Sequence, residues 1–247
     1  MKKIGIIGGS GFTGGELIRI LLNHPKLKIK FIYSLSQNGK NVHEIHPDLL
    51  GKTDIIFSDQ ITTDIDVLFL CLGHGKSRIF LDKYNFKSDT IIIDLSSDTN
   101  NFNWRNNNLS IYKPFNHQHL NEIYQTLNIM GNDSKIYFVP YRGNFTRGIF
   151  TSIYMKFDDE IENIKSIYKD FYESHPFTFL SKNDINLKEV INTNNCHVNI
   201  ECHESIIHIT TVIDNLLKGA SGQAVQNLNI IFGYEESLGL NFKGSIY

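Results

Sequence analysis

The apolar run Ile4-Gly5-Ile6-Ile7 leads directly into Gly8-Gly9-Ser10-Gly11-Phe12-Thr13-Gly14, and no other stretch of the 247-residue chain limits the fold as sharply. A short buried strand that ends in glycines 9, 11 and 14 and opens an amphipathic helix over residues 14–22 is the start of a β–α–β unit shaped around an anion. Glycines let the backbone close on a pyrophosphate, and the free N–H groups of the helix start face it. Gly8, Gly9, Ser10, Gly11, Phe12, Thr13 and Gly14 are therefore the candidate dinucleotide contacts. A tight turn that binds nothing is the plain alternative; placement after the first strand of an alternating pattern argues for the cofactor.

That alternation runs on. Residues 28–33, 54–57, 67–72 and 90–95 read as short strands, the one at 54–57 the weakest. They are continuously apolar, the pattern of strands buried on both faces of a parallel sheet under helices. Residues 1–98 are thus expected to form a Rossmann-type α/β domain. From Asp98 to Asn108 the chain turns polar and asparagine-rich, which marks a boundary. Beyond it residues 136–139, 149–157, 197–201 and 206–213 read as strands, several with period-two alternation. Residues 159–172 form a helix with Ile161, Ile164, Ile167, Tyr168 and Phe171 on one face. An α+β substrate and dimerisation domain over 99–218 is the expectation. After Asp214 a glycine turn and a helix at 223–232 bring the chain back, so that residues 219–247 complete the first domain.

Charge narrows the partners. A net charge of -2 with no basic run offers no field for nucleic acid or an anionic membrane. No stretch approaches the roughly 18 apolar residues of a spanning helix. The amino terminus lacks the long apolar region of a signal peptide. Cys71, Cys196 and Cys202 are too few and too scattered for a disulfide framework, so a reducing, cytoplasmic setting is expected. A small-molecule substrate and a second copy of the chain are the partners left. Strand 28–33 ends Phe31-Ile32-Tyr33-Ser34-Leu35-Ser36, with no carboxylate at its tip for ribose hydroxyls. Ser34 and Ser36, with Lys40 downstream, suit a phosphate there, which favours NADP over NAD; for Lys40 a plain polar loop is an equal alternative.

Several segments together resemble one family. Gly8 through Leu17 resembles the opening of the N-acetyl-γ-glutamyl-phosphate reductases, and Leu72-Gly73-His74-Gly75-Lys76-Ser77 their loop after a later strand, with Gly73 where proline is usual. Ile93-Asp94-Leu95-Ser96-Ser97-Asp98, Phe115-Asn116-His117-Gln118-His119-Leu120-Asn121-Glu122-Ile123, and Val139-Pro140 with Thr146-Arg147-Gly148-Ile149 are similar to further family segments. The most specific match is Asp214-Asn215-Leu216-Leu217-Lys218-Gly219-Ala220-Ser221-Gly222-Gln223-Ala224-Val225-Gln226-Asn227. Phe102 to Asn108 resembles a subgroup whose substrate is N-succinylated instead of N-acetylated.

The resemblance implies an NADPH-dependent reduction of an acyl phosphate to an aldehyde. In it a cysteine thiolate displaces phosphate, a thioester accepts hydride, and a histidine manages the protons. It implies His117, and beside it His119, as acid and base, with Arg147 and Arg142 as anion ligands. Asn215, Lys218 and Gly219 are implied near the nicotinamide. Paired surface histidines, ion-paired arginines and a structural helix entry are the competing explanations. No metal is implied. The nucleophile itself is not found. In the family a long stretch with Pro-Gly-Cys follows the strand that here ends at Asp98, whereas this chain passes at once to Thr99-Asn100-Asn101-Phe102 and contains no Pro-Gly-Cys. The fold is therefore expected to be incomplete relative to the family, with apolar faces left uncovered.

Overall fold

Strand β1 (Lys2–Ile7) organises the first sheet, because both of its neighbours lie parallel to it. β2 (Leu27–Tyr33) pairs on one side; β3 (Val67–Leu70) pairs on the other and carries β4 (Ile91–Asp94) beyond it, giving the order β2-β1-β3-β4. Ile4, Ile6 and Phe69 point into the cluster shared with helix α1 (Phe12–Leu22), where Leu17, Ile18 and Leu21 meet them. Ile7, Leu68 and Leu70 point to the other face, toward Phe80 of α3 (Lys76–Leu81). Burial on both faces explains the apolar spelling of β1 and β3, whereas β4 has no buried residue and leaves Ile92 44% exposed, contrary to the expectation for residues 90–95. Each buried side chain of this kind contributes about 1.5–3 kcal/mol on leaving water. The short α2 (Val42–Ile45) lies in the connection between β2 and β3.

A computed structural model describes residues 1–73, 75–95 and 108–244. His74, the Ser96-Ser97-Asp98 strand end, most of the Phe102–Asn108 segment and the junction after Asp98 lie outside the described residues. The chain divides into one unit of residues 1–98 with 147–247 and another of residues 99–146.

In the first unit a second sheet has the order β7-β10-β9-β8. β7 (Ile149–Lys156), β9 (Cys196–His203) and β10 (Ile206–Ile213) are antiparallel, while β8 (Thr178–Ser181) joins β9 in parallel. Val198, Ile200, Ile207 and Ile209 pack with Ile164 and Tyr168 of α5 (Ile161–Tyr172). The edge strand β7 leaves Ile149, Phe150, Ile153, Tyr154 and Met155 exposed. After β10 a π-helical turn, Leu217–Ser221, runs into α6 (Gly222–Ile231). Leu217, Ala224, Val225 and Leu228 enter the same cluster as β1 and α1.

The second unit holds the ribbon of β5 (Ser110–Ile111) with β6 (Tyr141–Arg142) and the helix α4 (His119–Ile129), of which only Leu120 is buried.

Two further local expectations need correction. The strand expected at 54–57 amounts to isolated bridges, Asn41 with Ile56 and Tyr33 with Ser58. Residues 136–139 form no ladder: the Phe138 carbonyl accepts from Phe115 N–H, and Ile136 bonds the Tyr124 hydroxyl instead. α4 and β8 had no counterpart in the reading of the sequence. The α4 segment does carry Leu120, Ile123, Tyr124 and Leu127 at helical spacing, a pattern overshadowed by the histidine motif at its start; β8 is four residues long and held by its neighbour.

Candidate functional site

The chain passes from β1 to β2 on one side and then crosses back to β3 on the other side of β1, so the carboxyl ends of β1 and β3 lie at a switch in strand order, the place where such sheets take ligands. Gly8 leaves β1 at φ +78°, and a Cβ there would lie 2.6 Å from the Cys71 carbonyl oxygen beyond β3. A Cβ on Gly9 would collide with Ile32, and one on Gly14 would lie 2.7 Å from the Gly9 Cα. Packing alone therefore demands those glycines. Gly11 differs: the nearest atom to its Cβ position is 3.9 Å away, so nothing in the protein requires its bareness. Gly11 is also the cap of α1, with no side-chain cap and no acidic residue in the first turn. Open space above a bare glycine, beside uncapped amides, fits a pyrophosphate.

Below the loop stands a residue that the motif did not reveal. His46 Nε2 lies 2.7 Å from the Gly9 carbonyl oxygen. Above the loop, Ser10 Oγ and Ser34 Oγ lie 3.3 Å apart, joining the glycine turn to the tip of β2. Ser34 is buried and its N–H donates to the Ser58 carbonyl, whereas Ser36 is exposed. Lys40 Nζ donates to Gln37 Oε1.

The carboxyl-terminal return is anchored by Asp214, which is fully buried and accepts from the N–H groups of Leu216, Leu217 and Asn192. Arg147 joins it to α1: Nη1 donates to Glu16 Oε1 at 2.7 Å and Nη2 to Asp214 Oδ1 at 3.2 Å. Its Nε is 3.0 Å from Asp214 Oδ2, close enough for an ion pair but off the line of a hydrogen bond. Ion pairing thus describes the present contacts of Arg147. The signal that could have found Asp214 and Glu16 was the acidic residue beside each glycine turn. Asn215 Oδ1 accepts from Gly148 N–H, and Gly219 N–H donates to the Asp214 carbonyl. Lys218 Nζ donates to Gln226 Oε1, and burial pushes its ammonium below the usual lysine range. Ser221 Oγ donates to the Thr13 carbonyl, which ties the return to the first turn of α1.

His117 and His119 belong to the second unit, with ring centroids 4.6 Å apart. Burial, then the charges of His119, Lys113 and Arg142, hold the His117 imidazolium below its ordinary range. The approach to His117 runs through left-handed backbone at Lys113 (φ 45°) and Phe115 (φ 58°), conformations that non-glycine residues adopt at a cost. Arg142 lies over the Tyr112 ring, 3.4 Å from its centroid.

No described cysteine has the setting of a nucleophile. Burial, with the Asp94 charge nearby, pushes the Cys71 thiol up to about 12. Burial also raises Cys196, against a smaller opposing pull from Lys218. Cys202 donates to the Glu204 carbonyl in a strand connection. A nucleophilic thiolate wants a helix start or a cation strong enough to outweigh burial, and at Cys196 the pull of Lys218 does not outweigh it.

Known proteins match along the whole chain. The family described as semialdehyde dehydrogenase, NAD binding domain, matches residues 3–123, and semialdehyde dehydrogenase, dimerisation domain, matches residues 95–215. The N-acetyl-gamma-glutamyl-phosphate reductase of Christiangramia forsetii is 40% identical over 321 positions, covering 100% of both chains. That of Karelsulcia muelleri is 41% identical, covering 98% of this chain and 99% of its own. Because these alignments reach both ends, the difference between 321 positions and 247 residues, 74, is internal. Among solved structures, aspartate semialdehyde dehydrogenase II from Vibrio cholerae superposes with a TM-score of 0.65 at 11% identity, over 94% of this chain and 98% of that one. The Francisella tularensis aspartate semialdehyde dehydrogenase gives 0.56 at 14%, over 94% and 100%. These two establish the fold: a parallel, helix-covered sheet with a second sheet later in the chain.

Proposed function

This chain belongs to the N-acetyl-gamma-glutamyl-phosphate reductase family, and from that premise we propose an NADP-linked site for reducing an N-acyl-γ-glutamyl phosphate to the semialdehyde in arginine biosynthesis. The acyl group is acetyl or succinyl. The observation that carries the reading is the cradle at residues 8–14, where Gly11 stays bare with no packing reason. When bound, the nicotinamide supplies hydride. Gly8, Gly9, Ser10, Gly11, Phe12, Thr13 and Gly14 hold the pyrophosphate, Ser34 and Ser36 the ribose side, and Asn215, Lys218 and Gly219 the nicotinamide side. His117, with His119, serves as acid and base, and Arg142 holds a substrate anion; Arg147 serves the same anion only by releasing Glu16 or Asp214. Residues 1–98 with 219–247 serve the cofactor, and 99–218 the substrate and a second copy. The setting is cytoplasmic, and no helix of the described residues is long and apolar enough to cross a membrane.

The test runs the reaction in reverse, with N-acyl-glutamate semialdehyde, NADP and phosphate. Formation of NADPH above a blank without protein supports turnover. None, under conditions where a full-length relative works, removes it.

A second reading is favoured by the 74-position deficit and the protonated cysteines: a chain that holds the dinucleotide without reducing anything. We place the deficit between Asp98 and Phe102, where the nucleophile belongs. Saturable quenching or enhancement of NADPH fluorescence without turnover is its expected result; no saturable change eliminates it.

A further inference from the structure

We infer that His46 is a positioning residue for the cofactor loop, its ring fixing the Gly9–Ser10 peptide so that the Ser10 amide faces the anion. The inference rests on the reading that residues 8–14 hold a nicotinamide dinucleotide. A carbonyl oxygen can only accept, so the 2.7 Å contact assigns the proton to His46 Nε2. The peptide is planar and trans, so its N–H points opposite to its C=O. With the Gly9 oxygen held by the ring, the Ser10 N–H is turned away from His46. Gly9 follows Gly8, and two successive glycines do little to stop that peptide from rotating once the ring is gone.

The delivery of the ring is specific. Asn41 and Glu44 form a capping box on α2, and Val42 N–H donates to the Ile55 carbonyl, which pins the segment against its return. Pro47 follows His46 and disfavours helical backbone there; His46 sits at φ -118°, ψ 82°. Buried Phe57 packs beside the ring, with centroids 6.3 Å apart. On the remaining side stands Gly15. A Cβ at that position would lie 2.6 Å from His46 Cε1 and Nδ1. Gly15 falls one place beyond the dinucleotide motif, inside a helix that glycine weakens, so its bareness serves the histidine and not the ligand.

The test is NADPH titration by fluorescence on the full chain, with thermal melts alongside. His46→Phe keeps a ring and removes the donor; it should weaken binding about 10-fold, the order of one hydrogen bond. His46→Gln restores a donor and should return to within about 3-fold of the parent. Equal binding by His46→Phe and the parent overturns the inference, and so does equal weakening by His46→Phe and His46→Gln. Should His46→Phe fail to melt cooperatively, His46→Leu takes its place under the same criteria. A parent chain that does not bind NADPH removes the underlying reading, which separates that failure from the failure of the brace.

Discussion

β1 and α4 make opposite use of their apolar residues. In β1, Ile4, Ile6 and Ile7 are fully buried, because a helix-bearing layer covers each face of the sheet. In α4 the sole buried side chain is Leu120, and Ile129 is 80% exposed. Around it Ile111, Phe115, Tyr137 and Tyr141 are exposed as well. Apolar content is therefore not what separates the units; a facing layer is. Residues 108–146 supply one helix and a ribbon of two-residue strands, too little to cover each other. On our reading the 74 missing positions fall at the junction that opens this unit.

The largest contrast should appear in hydrogen exchange. Amides of β1 and β3 open only with the whole unit, so they should exchange about 1,000-fold or more slowly than those of α4. Comparable protection in both would break the comparison. Core truncation sharpens it at the level of single side chains. Leu17→Ala removes a fully buried group and should cost about 2–5 kcal/mol in urea unfolding, while Ile129→Ala should stay within about 0.5 kcal/mol. A sizeable loss from Ile129→Ala would mean that α4 has a cover in solution. Within the cradle the contrast is smaller. Gly14→Ala overpacks against Gly9 and should cost about 1–3 kcal/mol. Gly11→Ala meets no protein atom closer than 3.9 Å, so melting should hold while NADPH affinity falls. Stability loss from Gly11→Ala, or unchanged binding, would remove the pyrophosphate role of that position.

What the sequence made legible follows the same division. β1, the glycine turn, β3, β7, β9 and β10 were readable because their apolar spelling is set locally, by two covered faces or by strand alternation. α4 was not, although Leu120, Ile123, Tyr124 and Leu127 recur at helical spacing; its segment was read for its histidines instead. Residues 136–139 spell a strand but spend their hydrogen bonds on the Tyr124 hydroxyl and the turn at Phe115. In the candidate site, the loop was legible and its support was not. His46 lies 37 residues from the carbonyl it holds, and a tertiary brace leaves no local pattern. Its trace was Gly15, an extra glycine with no place in the motif. Arg147 was visible as a cation, but only its partners Glu16 and Asp214 show how it is held.

The hydroxyl of Ser221 on the Thr13 carbonyl, with His24 against Asn229 at 3.0 Å, has a consequence for synthesis. The helix that begins the nucleotide half is closed by residues more than two hundred positions later. A ribosome that has made the glycine turn must still translate nearly everything else before Val225 and Leu228 arrive to shield Leu17 and Ile18. Until then the earliest part of the chain is the least finished, and contacts of such long sequence separation make its completion slow.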